Sequence, residues 1–474
     1  MISVSYKQYY ISPRRISLTG MIEISWKDVY VYVGDDLEIN IYVDSVGRKY
    51  LVLGDVYSSS SFCSIKEIVS KFNGSDIIEM VETWTGRWLL IGEDEILADA
   101  CALMPVFYSD DKDWFISSSL ALICGQRQLK ISNEVSDEGV TWQILPYSLL
   151  DGICTLFCTQ KIQFAKLGIN IKSSLWIKDY SSLSLDDKVN KLTTHLKTSL
   201  SNIESYSNRK IWVALTAGKD SRLVLAAAVN SGVHFNAFTL HHNGISYEDK
   251  TLPRKIVRSY DVFYNYIKSK RRSKQKEKEY LIFNSYNSKG ADLQFYSRGQ
   301  DDLIPDDAIV IRGGIFEAGQ TFGRSILNNN IDSFYDDYTH YYSESFTSRK
   351  QQLALSEWLQ YAKDFPIDFI DIRDRFYIEQ RVGGWVAALE QALSINKWNS
   401  IQLANNREVI SILLSATAEE REKLLLTNNS IRVLDNRLLN YSINKHHIID
   451  DVKYYIRKLF QYRALLSYLR RKLK

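Results

Sequence analysis

The residues with the clearest chemical potential form a short polar loop between two apolar segments. An apolar run, Ile211–Leu215, predicts a buried strand, and an Ala/Leu-rich stretch up to Ala228 has helical spacing. A loop that leads from a strand into a helix directs backbone N–H groups and the positive end of the helix dipole at one point. The segment therefore predicts a phosphate site at the six residues between them: Thr216, Ala217, Gly218, Lys219, Asp220 and Ser221.

The types of the loop residues refine this prediction. Gly218 lets the backbone approach a ligand closely, and the hydroxyls of Thr216 and Ser221 can donate to phosphate oxygens. Asp220 places a carboxylate in an anion site, which is unfavourable unless a cation bridges the two, so it implies Mg²⁺. The loop is not a Walker loop, which has four residues between its glycines and ends in Gly-Lys-Ser/Thr. The alternative is an ordinary strand-to-helix turn with an acid near the helix start.

The loop resembles the pyrophosphate loop S-G-G-x-D-S of the ATP-pyrophosphatase enzymes, in the version found in asparagine synthetase-like proteins. Thr216 stands for the serine and keeps its hydroxyl, and Ala217 stands for the first glycine. The resemblance implies that Leu215 and the six loop residues bind ATP. It also implies that Asp220 is both a catalytic residue and a ligand of Mg²⁺. Because Asp220 lies in the loop, we expect it to be exposed.

A second polar segment follows the apolar run Ile309–Ile311, which predicts another buried strand. It resembles the G-x-G-x-D-E segment of asparagine synthetases, with Glu317 on the final acid and Phe316 in place of a metal-binding aspartate. The resemblance implies that Glu317 is a catalytic residue and metal ligand. Arg312 is a further catalytic candidate, since its guanidinium can neutralise phosphate. The resemblance also implies that Gly313 and Gly314 bind the nucleotide. The alternative for the whole segment is a glycine-rich turn after a strand.

Strands and helices alternate in this half of the chain, which predicts a doubly wound parallel sheet with its ligands at the carboxyl ends of the strands. Thr239 and Leu240 end a strand beside the loop, so their backbone is placed to hold adenine. Asp249 matches an acidic position of the family, or is an acid favoured by the helix dipole. The predicted helices are 184–203 and 248–260, and the predicted strands are 211–215, 234–240 and 262–267.

The first half of the chain is strand-like from about residue 20 to 125, with β-branched and aromatic residues in partial alternation. Its segments resemble the end of the glutaminase domain of asparagine synthetases. The implied fold class is α/β, with an N-terminal Ntn-glutaminase-like β-rich sandwich domain over residues 1–175. A doubly wound parallel-sheet ATP-pyrophosphatase domain over residues 176–474 would follow, ending in a basic C-terminal helix.

The family's catalytic cysteine is missing from the first half. A working glutaminase of this family needs a cysteine directly after the initiator methionine, and this chain has Ile2 there and no cysteine before Cys63. We therefore expect no glutamine hydrolysis, so that the amine is ammonia or a primary amine of the substrate. The five cysteines, none in a Cys/His cluster, are expected to be free thiols rather than zinc ligands.

A second family segment is also missing. The family carries E-x-R-x-P-F before its Asp/Asn-Arg pair, whereas residues 399–403 here contain neither Glu, Arg nor Pro. If the family's glutamate is the base for the incoming amine, this chain must use another residue. Glu379 and Tyr377, within a predicted helix over 375–385, are candidates; a surface salt-bridge or packing role is the alternative for each.

Composition is that of a globular protein, with 474 residues of which 45% are hydrophobic and 24% charged. No apolar run approaches the roughly 20 residues that span a bilayer, and no leader is recognisable, so we expect a cytoplasmic protein. Eight basic and no acidic residues lie in 453–474, so the net charge of +3 leaves −5 on the rest of the chain. This basic end predicts a helix packed on the acidic body or a weak contact with a membrane surface.

The resemblance implies an ATP-dependent amide ligase that forms an acyl-adenylate. A small-molecule or peptide carboxylate would attack ATP, pyrophosphate and then AMP would leave, and other proteins of the same pathway would be partners. Two alternatives differ in class. A tRNA-modifying ATP-pyrophosphatase needs a positively charged surface to bind RNA. The net negative charge of the chain before residue 453 therefore disfavours a nucleic acid as partner. A non-catalytic relative that acts as a scaffold or partner subunit is consistent with the missing functional residues.

Overall fold

Three β-sheets with flanking helices make up the chain, which is α/β as the sequence predicts. The computed structural model describes residues 3–74, 76–130, 135, 140–241, 245–268, 274–285, 303–320, 327–343 and 346–441. Two six-stranded sheets are antiparallel and come first in the sequence. A five-stranded sheet follows, and all of its strand pairs are parallel.

Sheets A and B are the two antiparallel sheets. Sheet A has the order β10-β8-β9-β1-β3-β2 and sheet B the order β12-β11-β7-β6-β5-β4. Their strands are β1 Tyr9–Ser12, β2 Met21–Trp26, β3 Val29–Gly34, β4 Ile39–Val43, β5 Lys49–Ser58, β6 Trp84–Ile91, β7 Glu95–Ala98, β8 Phe107–Ser109, β9 Phe115–Ser117, β10 Cys154–Thr155, β11 Gln160–Ala165 and β12 Gly168–Ser173. The strands predicted between residues 20 and 125 are confirmed; β1, β11 and β12 were not predicted.

Alternation along the strands explains how sheets A and B pack. Successive side chains of a strand point to opposite faces. Ile11 of β1 and Leu51 of β5 enter one shared apolar cluster, so the two sheets meet face to face. Tyr10 and Val52, one residue away, enter separate clusters on the outer faces, which helices cover. These helices are α1 Ile65–Lys71, α2 Ile77–Val81 and α3 Leu120–Arg127.

Sheet C is the parallel sheet, with the order β15-β14-β13-β16-β17. Its strands are β13 Lys210–Ala214, β14 Phe235–His241, β15 Tyr264–Lys268, β16 Ala308–Arg312 and β17 Asn399–Gln402. Val213 of β13 packs on one face against helix α5, and Trp212 packs on the other face against helix α11. Helices therefore cover both faces of the sheet at its centre, which is why the neighbouring strands β13 and β16 have continuous apolar runs.

The helices of the second half are α4 Leu185–Tyr206, α5 Lys219–Ser231, α6 Tyr247–Val257, α7 Lys274–Phe283, α8 Phe334–Tyr341, α9 Arg349–Asp364, α10 Ile372–Phe376, α11 Ala387–Leu393, α12 Arg407–Leu414, α13 Ala418–Glu422 and α14 Leu425–Asp435. Short 3₁₀ turns span Phe316–Gly319 and Asn436–Asn440. A ten-residue π-helix, Tyr377–Val386, joins α10 to α11. The helix predicted over 375–385 is therefore confirmed, and from Tyr377 onwards it is a π-helix.

One predicted helix end is corrected by the structure, and two other predictions stay untested. The helix predicted over 248–260 ends earlier, at Val257. The basic segment 453–474 lies outside the described residues, and the domain boundary at 175/176, between β12 and α4, stays a prediction. Within the described ranges, no helix is both long enough and apolar enough to cross a bilayer.

Candidate functional site

The predicted phosphate loop lies at the carboxyl end of β13, in the middle of sheet C. Leu215 ends the apolar run and is buried, and its N–H donates to Phe238 O at 2.8 Å. Gly218 is the N-cap of α5, and no side chain of the described residues caps this helix start. Backbone N–H groups at such a helix start are available to an anion. The predicted geometry of strand, loop and helix N-terminus is confirmed.

Hydrogen bonds within the loop hold its shape. Thr216 N–H donates to Ser221 Oγ at 3.0 Å, and Gly218 N–H donates to Thr216 Oγ1 at 3.1 Å. Arg222, which is buried, donates from Nη2 to Ala217 O at 2.7 Å. Both hydroxyls that the sequence assigned to phosphate oxygens therefore take part in bonds inside the loop in this structure.

Asp249 contacts the loop directly. Its Oδ1 accepts a hydrogen bond of 2.6 Å from Ala217 N–H. Asp249 also lies in the first turn of α6, where its own N–H donates to the side chain of Ser246, the N-cap. Asp249 thus occupies a helix N-terminus and contacts the loop at the same time, so the two readings of this residue are not exclusive.

Asp220 lies in the first turn of α5 and is half-buried, so the expectation that it is an exposed loop residue is wrong. Its Oδ1 accepts a hydrogen bond of 2.9 Å from Gln320 Nε2. Burial and, to a smaller extent, the nearby charge of Glu317 together raise the pKa of Asp220 to about 7, although Lys219 and Gln320 oppose the increase. The two predicted metal ligands therefore lie within electrostatic reach of each other.

Glu317 and Phe316 have opposite orientations. Glu317 is exposed, whereas Phe316 is fully buried in the apolar core that α5 shares. The aromatic side chain at the position of the family's aspartate therefore packs inward and is no substitute ligand. Among the described residues, no group of three or more His, Cys, Asp or Glu side chains could hold a metal ion. Two neighbouring carboxylates still suit Mg²⁺, which proteins bind through one or two carboxylates together with substrate phosphates.

Gly313 and Gly314 bring the second segment close to the first. A Cβ on Gly313 would lie 2.9 Å from Asp220 O, so only glycine allows this approach of the two backbones. Gly314 N–H donates to Gln402 Oε1 at 2.8 Å, and Gln402 Nε2 donates to Glu390 Oε1 at 2.7 Å.

Arg312 forms an ion pair of 3.2 Å, from Nη1 to Oε1 of Glu390. Both side chains lie mostly out of solvent, at 19% and 1% exposure. Glu390 is on α11, far away in sequence, and nothing in its local sequence distinguishes it. Sequence reasoning therefore found Arg312 but missed the residue that orients it.

The two candidate bases have different surroundings. Tyr377 Oη donates to Glu317 Oε2 at 3.2 Å, so Tyr377 borders the site. Glu379 is buried, and its carboxylate accepts from Trp358 Nε1 at 2.6 Å and pairs with Arg375 at 3.2 Å. The salt-bridge alternative for Glu379 is confirmed, although the bridge is buried and not on the surface.

Thr239 lies beside the loop, and Leu240 follows it in β14. The Thr239 hydroxyl donates to Leu215 O at 2.6 Å and thereby ties β14 to the start of the loop. β14 continues through His241, past Phe238, which pairs with the end of β13. Asn399, where the family's missing segment would begin, is in β17 and accepts a hydrogen bond of 2.7 Å from Lys7 Nζ.

Comparisons with known proteins add little to this geometry. No protein-family model and no curated protein matches the chain. A solved structure titled as the allosteric regulatory enzyme of purine biosynthesis is 7% identical, over 60% of this chain and 74% of that one, with a TM-score of 0.24. The NMN synthetase from Francisella tularensis is 14% identical, over 56% of this chain and 100% of that one, with a TM-score of 0.20. Scores of this size leave the function to be argued from the site itself.

Proposed function

We propose that this protein is an ATP-dependent amide ligase of the asparagine synthetase-like group. A carboxylate oxygen of the substrate attacks the α-phosphorus of ATP, which forms an acyl-adenylate and releases pyrophosphate. A primary amine or ammonia then attacks the acyl carbon, AMP leaves, and the amine gives up a proton. The carboxylate belongs to a small molecule or a peptide. Residues 1–175 and 176–474 are the two proposed domains.

One observation carries this proposal: two carboxylates from different elements flank the uncapped start of α5. Asp220 comes from α5 itself and Glu317 from the 3₁₀ turn after β16, and the charge of Glu317 helps to raise the pKa of Asp220. An uncapped helix start attracts phosphate, whereas a carboxylate pair repels it. Asp220 and Glu317 would hold Mg²⁺, which would supply the positive charge that neutralises the phosphates. An ordinary strand-to-helix turn gives no reason for this combination.

Other residues of the site have supporting roles in this proposal. The loop from Leu215 to Ser221 binds the pyrophosphate part of ATP at the start of α5, through the N–H groups of the first helical turn, because the earlier N–H groups of the loop already have acceptors within the protein. The backbone of Thr239 and Leu240 borders the adenine. Arg312, oriented by Glu390, balances charge on the phosphates. Preorganised donors of this kind stabilise the charge that develops on a leaving group.

Proton transfer from the amine needs a base near the reacting atoms. Tyr377 borders the site, since its hydroxyl donates to Glu317 at 3.2 Å, but burial and the charge of Glu317 raise its pKa, so the neutral phenol can relay a proton to Glu317 and is not itself a base. Glu379 is excluded as the base, because its buried carboxylate already accepts hydrogen bonds from Arg375 and Trp358.

A non-catalytic relative is the second candidate function. The observation that favours it is the buried Phe316, which leaves two carboxylates where the family resemblance implies three. Such a chain would act as a scaffold or partner subunit and would not turn over ATP.

Exchange of labelled pyrophosphate into ATP distinguishes the two. We expect the wild-type protein to catalyse exchange with at least one member of a panel of carboxylic acids and peptides, and Asp220→Asn to reduce it at least a hundredfold. Asp186→Asn is the matched control, because Asp186 is an exposed acid in the first turn of α4. Unchanged exchange in Asp220→Asn would mean that the loop is not the ATP site. Absence of exchange with every acid would favour the scaffold.

A further inference from the structure

Arg381 lies between two tryptophan rings on the π-helix. Its guanidinium carbon is 3.9 Å from the ring centre of Trp385 and 5.0 Å from that of Trp142. Both distances are within the range of cation–π contact. Trp142 is buried, whereas Arg381 and Trp385 are half-buried, so the guanidinium is not sealed in the core.

A glycine of the same helix makes this arrangement possible. A Cβ on Gly384 would lie 2.7 Å from Cδ1 of Trp142, so any larger residue would displace this ring. The glycine thus lets Trp142, which precedes the π-helix by more than 230 positions in the chain, pack on the helix beside Arg381. π-helical turns are rare, and they occur frequently at functional sites.

Among the residues that the structure describes, Arg381 has no acidic partner, unlike the neighbouring arginines. Arg373 pairs with Asp371, and Arg375 pairs with Glu379. Across the described part of the chain, no carboxylate or carbonyl oxygen is bonded to Arg381. Stacked rings cover the faces of a guanidinium but leave its in-plane N–H groups available for a bidentate contact with an oxyanion.

The guanidinium is also close to the proposed ATP site. Tyr377, four residues earlier on the π-helix, donates to Glu317 at 3.2 Å. Arg381 therefore lies on the same short stretch of π-helix as the residue that contacts Glu317. The charge of Arg381 also reaches Tyr338, whose buried Oη has no hydrogen-bond partner in the described ranges.

We propose that Arg381, held between Trp142 and Trp385, is the binding site for a carboxylate group of the acid or peptide substrate. This inference rests on the proposed function, because it assigns the substrate of that same site. The chemistry required is an oxyanion that accepts two in-plane hydrogen bonds. A phosphate of ATP has this chemistry too, so the test must separate the two sources.

The test is titration calorimetry of the full-length protein with bound Mg²⁺ and α,β-methylene ATP, an analogue that cannot release pyrophosphate. The probes are acetyl-tetraglycine with a free C-terminal carboxylate, the same peptide with a C-terminal amide, and inorganic pyrophosphate. We expect saturable binding of the free acid, at least tenfold weaker binding of the amide, and at least tenfold weaker binding of the acid by Arg381→Gln. The matched control is Arg432→Gln, at an exposed arginine of α14, which should bind as the wild type does.

Each other outcome overturns the proposal. Equal binding of acid and amide, no saturable binding of the acid, or an unaffected Arg381→Gln would leave the stacked arginine with a packing role only. A dependence of pyrophosphate but not peptide binding on Arg381 would assign it to ATP. If Arg381→Gln fails to fold, Arg381→Lys replaces it in the test. This variant keeps the positive charge but loses the planar guanidinium, so it should fold and bind the free acid with intermediate affinity. Binding of the nucleotide analogue separates the proposed function from the role of Arg381. If the wild type does not bind the analogue, the proposed function fails. If the wild type and Arg381→Gln both bind it, only the role of Arg381 is at stake.

Discussion

Asp220 should give the stability of the ligand-free protein a pH dependence of defined sign. Burial, with Glu317 beside it, raises the pKa of this carboxyl from 3.8 to about 7. The folded protein thus holds the proton more tightly than the unfolded chain does. Stability from this group is fully present below pH 3.8 and is lost as the pH rises through about 7.

The size of the effect follows from the shift. One pKa unit corresponds to about 1.4 kcal/mol, so the full change is about 4 kcal/mol, of which about 2–3 kcal/mol falls between pH 5 and 8. Asp220→Asn removes the ionising group but keeps its shape and its capacity to accept from Gln320. The free energy of unfolding of the wild type should therefore fall by about 2–3 kcal/mol more than that of the variant between pH 5 and 8.

Urea unfolding at four pH values from 5 to 8, in buffer with a metal chelator, measures this difference. Asp186→Asn serves as the control, since an exposed acid should leave the wild-type pH dependence unchanged. Parallel curves for the wild type and Asp220→Asn would refute the reasoning, because they would mean that Asp220 ionises as freely in the folded protein as in the unfolded chain.

Two further predictions concern residues that surround the site, and a third concerns the first half of the chain. Asp249→Ala should lower the free energy of unfolding by about 1–2 kcal/mol, because the buried N–H of Ala217 loses its acceptor; equal urea midpoints would contradict this. Glu390→Ala should cost about 3–5 kcal/mol, because it leaves the Arg312 guanidinium without its carboxylate; a loss below about 1 kcal/mol by the same measurement would show that the pair is unimportant. The purified protein should not release glutamate from glutamine in the absence of ATP, and release in an enzymatic glutamate assay would overturn the assignment of the first half.

The parts of the fold that the sequence predicts are those with strong local patterns. The apolar runs before Thr216 and Arg312 can only be buried strands, and small residues between a strand and a helical pattern leave few alternatives to the loop observed. The strands β11 and β12 were missed although they alternate apolar and polar residues, because each alternating run contains only two large apolar residues and is therefore short.

Other parts of the site depend on contacts that no local pattern encodes. Gln320 and Glu390 meet Asp220 and Arg312 only through the tertiary fold. The burial of Asp220 follows from the approach of the segment with Gly313, which the sequence places about ninety residues later. The π-helix was predicted as an ordinary helix because hydrophobic spacing does not distinguish the two over ten residues.

Thermal unfolding with and without Mg·ATP tests the central claim most directly. A nucleotide that binds only the folded protein stabilises it by roughly 1–3 kcal/mol at up to a hundredfold excess over its dissociation constant. We predict a stabilisation of this size for the wild type, one that requires Mg²⁺, and its loss or strong reduction in Glu317→Gln. No change in the melting temperature of the wild type at millimolar Mg·ATP would contradict the account.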